Sequence, residues 1–531
     1  MLRLLAYSLL SALLLSFAWP INGFTLLIFV AWIPLLSVEN TLSKQNKGGL
    51  KLLGFSYLTF LLWNILTTWW IKNASFGGAA MAILANSLLM SFTFQAFHII
   101  KKRISTFNIQ HSTFFLIPIW ISFEYLHLDW DLTWPWLTLG NIFAAQHTWI
   151  QWYEFTGVFG GSLWILLVNI LLFEFILHYE LQNKKLSIKQ LIIALFLIII
   201  PIFFSVLLYN SVQTTLSNKA NVVVIQPNID PYNEKFVDPQ SVQIEKMLAL
   251  AETLVDSTTD FLVLPETALI ENIWENNINE TESITQLQLF AKKFGKLSIV
   301  TGASTLRAFE DGEKVSETAR KFSDVDKYYD SYNTALLIDS SKHVQIYHKS
   351  KLVPGVEKMP FPWIFKHIEK FAIDLGGTAG SLGVQKERTV LYSKDSIGVA
   401  PVICYESIYG EYVSDYVKNG ANAIFIITND GWWGDTHGYK QHLIYGRLRA
   451  IETRREIARS ANTGISCTIN ERGDVENKTE WWQPTAFKTT INLHLEKTFY
   501  TRFGDAIAAV CLVFTSILSI AAFVLRFIKK K

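Results

Sequence analysis

Cysteine is scarce in this chain, and charge is scarce with it. The three cysteines are Cys404, Cys467 and Cys511. Cys511 sits inside an apolar run, so at most one disulfide can form in a polar domain, and neither a disulfide scaffold nor a multi-cysteine metal site is encoded. Charged residues make up 17% of the sequence and the formal net charge is +2. With no long basic run, a nucleic-acid surface is excluded. What the chain has in place of charge is apolar surface: 50% of its 531 residues are hydrophobic, which is unusual for a soluble protein. The excess lies before about Asn210 and after about Asp505, with a normally polar stretch between. Two environments are implied, and one of them is a membrane.

A spanning helix needs roughly 20 apolar residues. Candidates run from about Leu4 to Ala18, Phe24 to Val38, Leu52 to Ile71, Ala79 to Ile100, Thr113 to Leu126, Leu163 to His178, Leu191 to Tyr209 and Ala506 to Phe527. Lys and Arg beside short loops stay on the cytoplasmic side, and they cluster in alternate loops: Lys44, Lys47 and Lys51; Lys101, Lys102 and Arg103; Lys184, Lys185 and Lys189; then Arg526 and Lys529 to Lys531 at the end. Lys72 is the single exception. Both termini are therefore expected in the cytoplasm, and the polar stretch on the far side, in the periplasm of a double-membraned bacterium. A competing reading makes the first run a cleaved signal peptide, with Ser16 and Ala18 as its small-residue site; the later charge alternation gives the same orientation. The loop from Leu128 to Gly160 lacks Lys and Arg and carries Trp130, Trp134, Pro135, Trp136, Trp149, Trp152 and Tyr153. It reads as an interfacial aromatic belt or as the lining of a lipid entry.

The expected domains are residues 1–210, seven membrane helices; 211–502, an exported domain; and 503–531, a last helix with a basic tail. Within 211–502, short apolar β-rich runs alternate with amphipathic helical stretches: Val222 to Gln226, helix Ser241 to Val255, Phe261 to Leu264, helix Ile284 to Phe294, Ser298 to Ala303, Thr334 to Ile338, Val344 to His348, Gly398 to Cys404, helix Gly410 to Asn419, Ala423 to Thr428, helix Gln441 to Ala458 and Ile465 to Ile469. This is a layered α/β arrangement. The charged, aperiodic stretch Arg307 to Tyr332 reads as an exposed excursion of a hairpin.

Three of those strands end on reactive residue types. Glu266 follows Phe261 to Leu264, Lys349 follows Val344 to His348, and Cys404 ends the run from Gly398 to Cys404. Functional groups gather at strand ends, yet each has an ordinary alternative: a capping carboxylate, a solvated lysine with Lys351 as its double, and a small buried hydrophobe. A thiol near pKa ~8.5 needs a base and a positive charge to react at neutral pH, and a Glu and a Lys supply them.

Glu, Lys and Cys in that order, each after a strand, resemble the nitrilase superfamily over roughly Asn221 to Leu495. Further matching wording is Gln226-Pro227-Asn228-Ile229, Leu352-Val353-Pro354 with Glu357, Thr428 to Gly434, Arg449 to Glu452, and Ser460 to Gly464. The membrane helices on both sides narrow the resemblance to the membrane-embedded acyltransferase branch. Two departures touch local contacts: Gly355 and Val356 stand where Phe-Gly is usual, and Phe236 where a Trp is usual.

The resemblance implies an α+β membrane protein, a bundle of about eight transmembrane helices carrying an exported α/β/β/α sandwich. It implies Cys404 as nucleophile, Glu266 as general base and Lys349 as oxyanion stabiliser, with Glu357, Tyr405 and Glu406 in support. Phe236, Phe361, Trp363, Trp432 and Trp433 are candidate lipid contacts, and Val356 to Phe371 a membrane-dipping arm or ordinary core. A phospholipid would donate the acyl group, and the N-terminal amine of the diacylglyceryl-cysteine of an apolipoprotein would accept it, in the inner membrane. No cofactor, no nucleic-acid partner and a monomer are expected. No metal is expected either, because His437 and His442 are five residues apart, off one helical face, with no carboxylate pair at ligand spacing. The rival readings are a membrane-tethered amidase with the same trio and a non-enzymatic scaffold or transporter.

Overall fold

Backbone in hydrocarbon must satisfy its own hydrogen bonds, and the apolar runs accordingly fold as helices: α1 (Leu2–Ala18), α2 (Ile33–Lys44), α3 (Leu50–Thr68), α4 (Phe76–Ile104), α5 (Leu116–Leu126), α6 (Tyr153–Glu180), α7 (Lys184–Ser211) and a final helix, Ala506–Ile528. The computed structural model describes residues 1–45, 48–104, 111–212, 218–361 and 381–528. Lys47, Trp363, Ile364, Phe365 and Lys529 to Lys531 lie outside the described residues. The chain divides into two compact units, one of Met1–Lys72, Phe76–Ser211 and Phe503–Lys531, the other of Asn73–Ser75 and Val212–Arg502.

Among the described residues of the first unit, six helices are long and apolar enough to cross a membrane, among them Thr25–Lys44, Lys184–Ser211 and Ala506–Phe527, while Leu2–Ala18 and Ser112–Leu126 are shorter. The outward faces are greasy: Ile199, Phe203, Phe514 and Ile520 are all more than half exposed, a surface that belongs in lipid. The buried carboxylates Glu39 and Glu124 inside the bundle are paired, as a low-dielectric interior requires. Glu39 holds His98 at 2.7 Å and Lys101 at 2.6 Å. Glu124 accepts from the Leu139 amide at 2.8 Å, Trp120 Nε1 at 3.0 Å and the Ser162 hydroxyl at 2.6 Å.

The aromatic loop is not simply a belt. Pro135–Leu137 and Leu139–Trp149 wind as tight 3-10 turns, and Trp136 and Tyr153 are fully buried. Trp136 packs on Trp70 at 4.9 Å, and the Tyr153 hydroxyl donates to the Gly140 carbonyl at 2.9 Å. These two rings are core of the bundle, where packing outweighs the interfacial preference of Trp and Tyr.

The second unit holds strands β1 (Lys219–Gln226), β2 (Phe261–Val263), β3 (Leu269–Trp274), β4 (Ser298–Ala308), β5 (Arg320–Lys321), β6 (Tyr328–Ile338), β7 (Gln345–His348), β8 (Leu391–Tyr392), β9 (Gly398–Ile403), β10 (Ala423–Thr428), β11 (Ile457–Ala461), β12 (Cys467–Ile469), β13 (Val475–Glu476) and β14 (Thr485–Asn492). One sheet runs β14-β1-β2-β4-β6-β5, with β3 on β4 and β7 on β6; the other runs β13-β12-β11-β10-β9-β8. β1, β2 and β4 are parallel, as are β9, β10 and β11. The last strand closes the first sheet, β14 lying antiparallel to β1 from Lys219 opposite Asn492 to Gln226 opposite Thr485. The sheets meet face to face through Phe261 and Phe425, 5.1 Å apart. Helices α8 (Gln240–Glu252) and α9 (Glu282–Lys293) cover the first sheet with Ile244, Met247, Leu287 and Phe290. Helices α10 (Gly410–Lys418) and α11 (His437–Thr453) belong with the second. The fold is α+β, an α/β/β/α sandwich joined in one chain to a helical bundle.

Two sequence expectations shift. The helix expected to run to Ala458 stops at Thr453, where Arg454 turns left-handed at φ +48°, and Ile457–Ala461 is strand β11. All five of its residues are buried, so the period-2 alternation that would reveal a strand is missing. Strand β14, also not expected, is mostly half-buried and polar, and β3, likewise not expected, lacks a strict alternation of buried and exposed residues. The excursion after Arg307 is a hairpin between β4 and β6.

Candidate active site

The C-terminal ends of β2, β7 and β9 deliver Glu266, Lys349 and Cys404, which are 7%, 1% and 8% exposed. Lys349 Nζ donates to Glu266 Oε1 at 3.0 Å and to Glu357 Oε1 at 2.8 Å. Asn333 Nδ2, from β6, bridges the same two carboxylates at 2.8 and 3.0 Å. The other oxygen of Glu266 accepts the Asn429 amide at 3.1 Å. One ammonium and one carboxamide thus fix both carboxylates. The Glu266 backbone passes so close to Gly302 of β4 that a Cβ there would lie 2.4 Å from the Thr267 nitrogen.

Cys404 itself has φ +49°, a left-handed conformation that a non-glycine residue adopts at a cost and that recurs at functional sites. Burial pushes its thiol well above the usual value and Glu266 adds to this, while Lys349 pulls it down. Burial would raise Glu266 too, but Lys349 and the Asn333 hydrogen bond outweigh it and hold the carboxyl below its ordinary value. Burial disfavours the Lys349 cation, and Glu266 and Glu357 more than reverse that. The resting site is therefore thiol, carboxylate and ammonium.

Glu406 does not face the reacting group. Its Oε2 accepts the Ile403 amide at 2.9 Å and its Oε1 accepts the Ser350 amide at 2.7 Å and the Tyr347 hydroxyl at 2.6 Å, tying the loop after Lys349 to the turn that carries Cys404. Tyr405 is buried and packs edge-on to Tyr409, 5.4 Å away. Lys351, the double of Lys349 in sequence, lies over the Tyr409 ring at 5.1 Å.

Of the candidate lipid contacts, Phe236 is 68% exposed and stacks on half-buried Trp432 at 6.5 Å, with Tyr232 at 5.1 Å on the same ring. Trp433 packs edge-on to His442. Phe361 is half-buried; Trp363 lies outside the described residues.

Sequence reasoning missed several groups. Lys235 is buried, with Nζ 3.4 Å from the Glu266 carbonyl and bonded to the Thr267 hydroxyl; burial lowers its pKa to about 8, with Glu266 and Cys404 opposing. A lysine beside Phe236 in a polar loop gives no sign of burial. His442 has a carboxylate neighbour after all, Asp430 Oδ1 at 2.9 Å, and its other nitrogen meets the Cys404 carbonyl at 3.0 Å and the Ser407 hydroxyl at 2.9 Å. Asp430 also pairs with buried Arg459. These contacts hold the turn that carries Cys404 by its backbone. With both ring nitrogens engaged in this way, His442 is a support of the turn.

Residues 210–499 match the family model "Carbon-nitrogen hydrolase", and residues 11–171 match "Apolipoprotein N-acyltransferase N-terminal domain". The apolipoprotein N-acyltransferase of Chlorobaculum tepidum is 29% identical over 97% of this chain and 95% of its own length. That of Geobacter metallireducens is 26% identical over 97% of this chain and 94% of its own, and that of Thermotoga maritima is 27% identical over 74% and 67%.

Proposed function

We infer that this chain, which belongs to the carbon-nitrogen hydrolase family, is a membrane acyltransferase that moves a fatty acyl group from a phospholipid to the N-terminal amine of a diacylglyceryl-cysteine on apolipoproteins. The observation that carries this reading is one ammonium, Lys349, bonded to both Glu266 and Glu357 in the same pocket as Cys404, in a chain whose other unit is built of apolar helices.

In the first half-reaction Glu266 takes the thiol proton as Cys404 Sγ attacks the ester carbonyl. Lys349 and a backbone amide beside Cys404 stabilise the oxyanion. The tetrahedral intermediate collapses with cleavage of the C–O bond; Glu266 returns the proton to the departing glycerol oxygen, and a lysophospholipid leaves. In the second, the acceptor amine attacks the thioester carbonyl, Glu266 removes its proton, the C–S bond breaks, and the thiolate recovers a proton. Glu357 holds Lys349 in place, Tyr405 and Glu406 shape the turn, and the Phe236–Trp432 stack is offered to acyl chains. A thioester suits an amine acceptor because thiolate is a good leaving group.

The same reading places residues 211–502 as the catalytic domain in the periplasm, both termini in the cytoplasm and the helices in the inner membrane, supported by the lysine and arginine clusters of alternate loops. The unit is taken to act as a monomer.

Intact-mass analysis of protein incubated with phospholipid tests it. An added fatty acyl mass on wild type, absent from Cys404→Ala and discharged by a diacylglyceryl peptide bearing a free amine, is the expected result. A folded protein that forms no adduct but releases ammonia from small amides would make it an amidase instead.

A further inference from the structure

At the end of the second sheet away from Cys404, three side chains converge that the acyl transfer does not use. Glu456 precedes β11, Glu471 follows β12, and His494 follows β14. Glu471 is completely buried and no N–H or hydroxyl donor reaches either of its carboxylate oxygens, its one hydrogen-bonding neighbour being the Glu456 carboxyl; His494 Nε2 has no hydrogen-bond partner. That nitrogen lies 3.8 Å from Glu471 Oε2. One ligand atom from each of the three residues falls within 4.8 Å of the others.

The cations nearby are turned elsewhere. Arg454 donates to the Glu471 backbone carbonyl at 2.9 Å. Arg455 donates to the carbonyls of Ala421, Thr453, Arg454 and Glu496. Burying two carboxylates side by side is strongly unfavourable, and burial together with Glu471 raises the Glu456 carboxyl to about 7. Asn492 donates its backbone and side-chain nitrogens to the two Glu456 oxygens at 3.0 and 2.6 Å, the kind of outer contact that orients a metal-binding carboxylate.

We propose that Glu456, Glu471 and His494 form a binding site for a divalent transition ion of the zinc type, held by two carboxylates and one imidazole nitrogen. Bonds of about 2.0–2.2 Å put tetrahedral ligands roughly 3.4 Å apart, so the site closes on an ion with sub-ångström shifts. A nitrogen ligand favours zinc over calcium or magnesium, which prefer oxygen. The ion would fasten β11 and β12 of one sheet to the segment that follows β14 of the other. The second cluster of ligand types, Cys404, Asp430 and His442, has its Asp430 and His442 already spent on each other and on Arg459.

The test uses the full-length protein in detergent, stripped with EDTA, loaded with zinc chloride and desalted. One zinc retained per chain and a zinc-dependent rise in melting temperature are expected for wild type and for Cys404→Ala. Both should vanish in Glu471→Gln and in the less buried His494→Gln, so either variant that folds suffices. No zinc retained by wild type would overturn the proposal, as would retention unchanged in the folded variants or lost with Cys404→Ala. Glu471→Gln melting above wild type, with zinc affecting neither, would show that a shared proton occupies the place of the ion.

Discussion

Glu406 accepts the backbone amide of Ser350 at 2.7 Å, so the loop that carries Lys349 and the turn that carries Cys404 are held by a single buried carboxylate. In Glu406→Gln a donor replaces one acceptor oxygen and faces either the Ser350 or the Ile403 amide. A displacement of the order of 1 Å at a reacting group costs roughly 10²-fold in rate, and a loss of that size in thioester formation is expected. Tyr347→Phe removes a donor and leaves the carboxylate in place, so it should slow the step only a few-fold. Time-resolved mass of the acyl adduct separates the two.

Lys349→Met leaves Glu266 and Glu357 facing each other without their shared cation. Loss of an oxyanion stabiliser costs roughly 10²–10³-fold, and thioester formation should fall at least that far. Glu357→Gln keeps an acceptor for Lys349 and Asn333 but removes a charge, and should slow the step about tenfold, equivalent to roughly one pKa unit at the site. Equal rates for Glu357→Gln and wild type would remove Glu357 from the machinery.

The rate at which iodoacetamide alkylates Cys404 should break near pH 8, where Lys235 titrates. Below that pH Lys235 is a cation close to Glu266 and Cys404 and favours the thiolate; above it the lysine is neutral and the help is lost. Lys235→Met should abolish the break and slow alkylation at pH 7 several-fold. The sign for stability is opposite. Burial lowers this lysine from 10.5 to about 8, so its penalty on folding is fully present below pH 8 and fades as the pH rises towards 10.5. Lys235→Met should therefore melt higher than wild type at pH 7.

Gly302→Ala tests the placement of Glu266. The added Cβ would stand 2.6 Å from the Glu266 Cα, and backbone, unlike a flexible side-chain end, does not give way cheaply. Thioester formation should drop by roughly 10²-fold, while circular dichroism keeps its wild-type form. Wild-type rates would show that the strand end shifts without moving the carboxylate.

What was legible in the sequence was whatever chemistry leaves a local mark. The long apolar runs, the alternation of strand and helix, and a Glu, a Lys and a Cys each near the exit of a strand could be read because a period or a punctuation accompanies them. Strand β11 could not, since burial on both faces erases its alternation. Asn333, Lys235 and Asp430 were missed for a related reason. Each looks ordinary among its chain neighbours, and acquires meaning only from partners such as Glu266, Thr267 and His442 that are distant in the chain. The dismissal of His442 rested on its spacing from His437, whereas the contact that matters is with Asp430.

The pairing of β1 with β14 sets a timetable for the molecule. The first sheet cannot be finished until the chain has been made through Asn492, well after all three reactive side chains have left the ribosome. At about 5–20 residues per second, the stretch from Cys404 to Asn492 takes roughly 4–18 s to synthesise. For that interval the nascent chain carries Cys404 without the completed sandwich, and an acyl adduct is expected only from chains whose last strand has arrived.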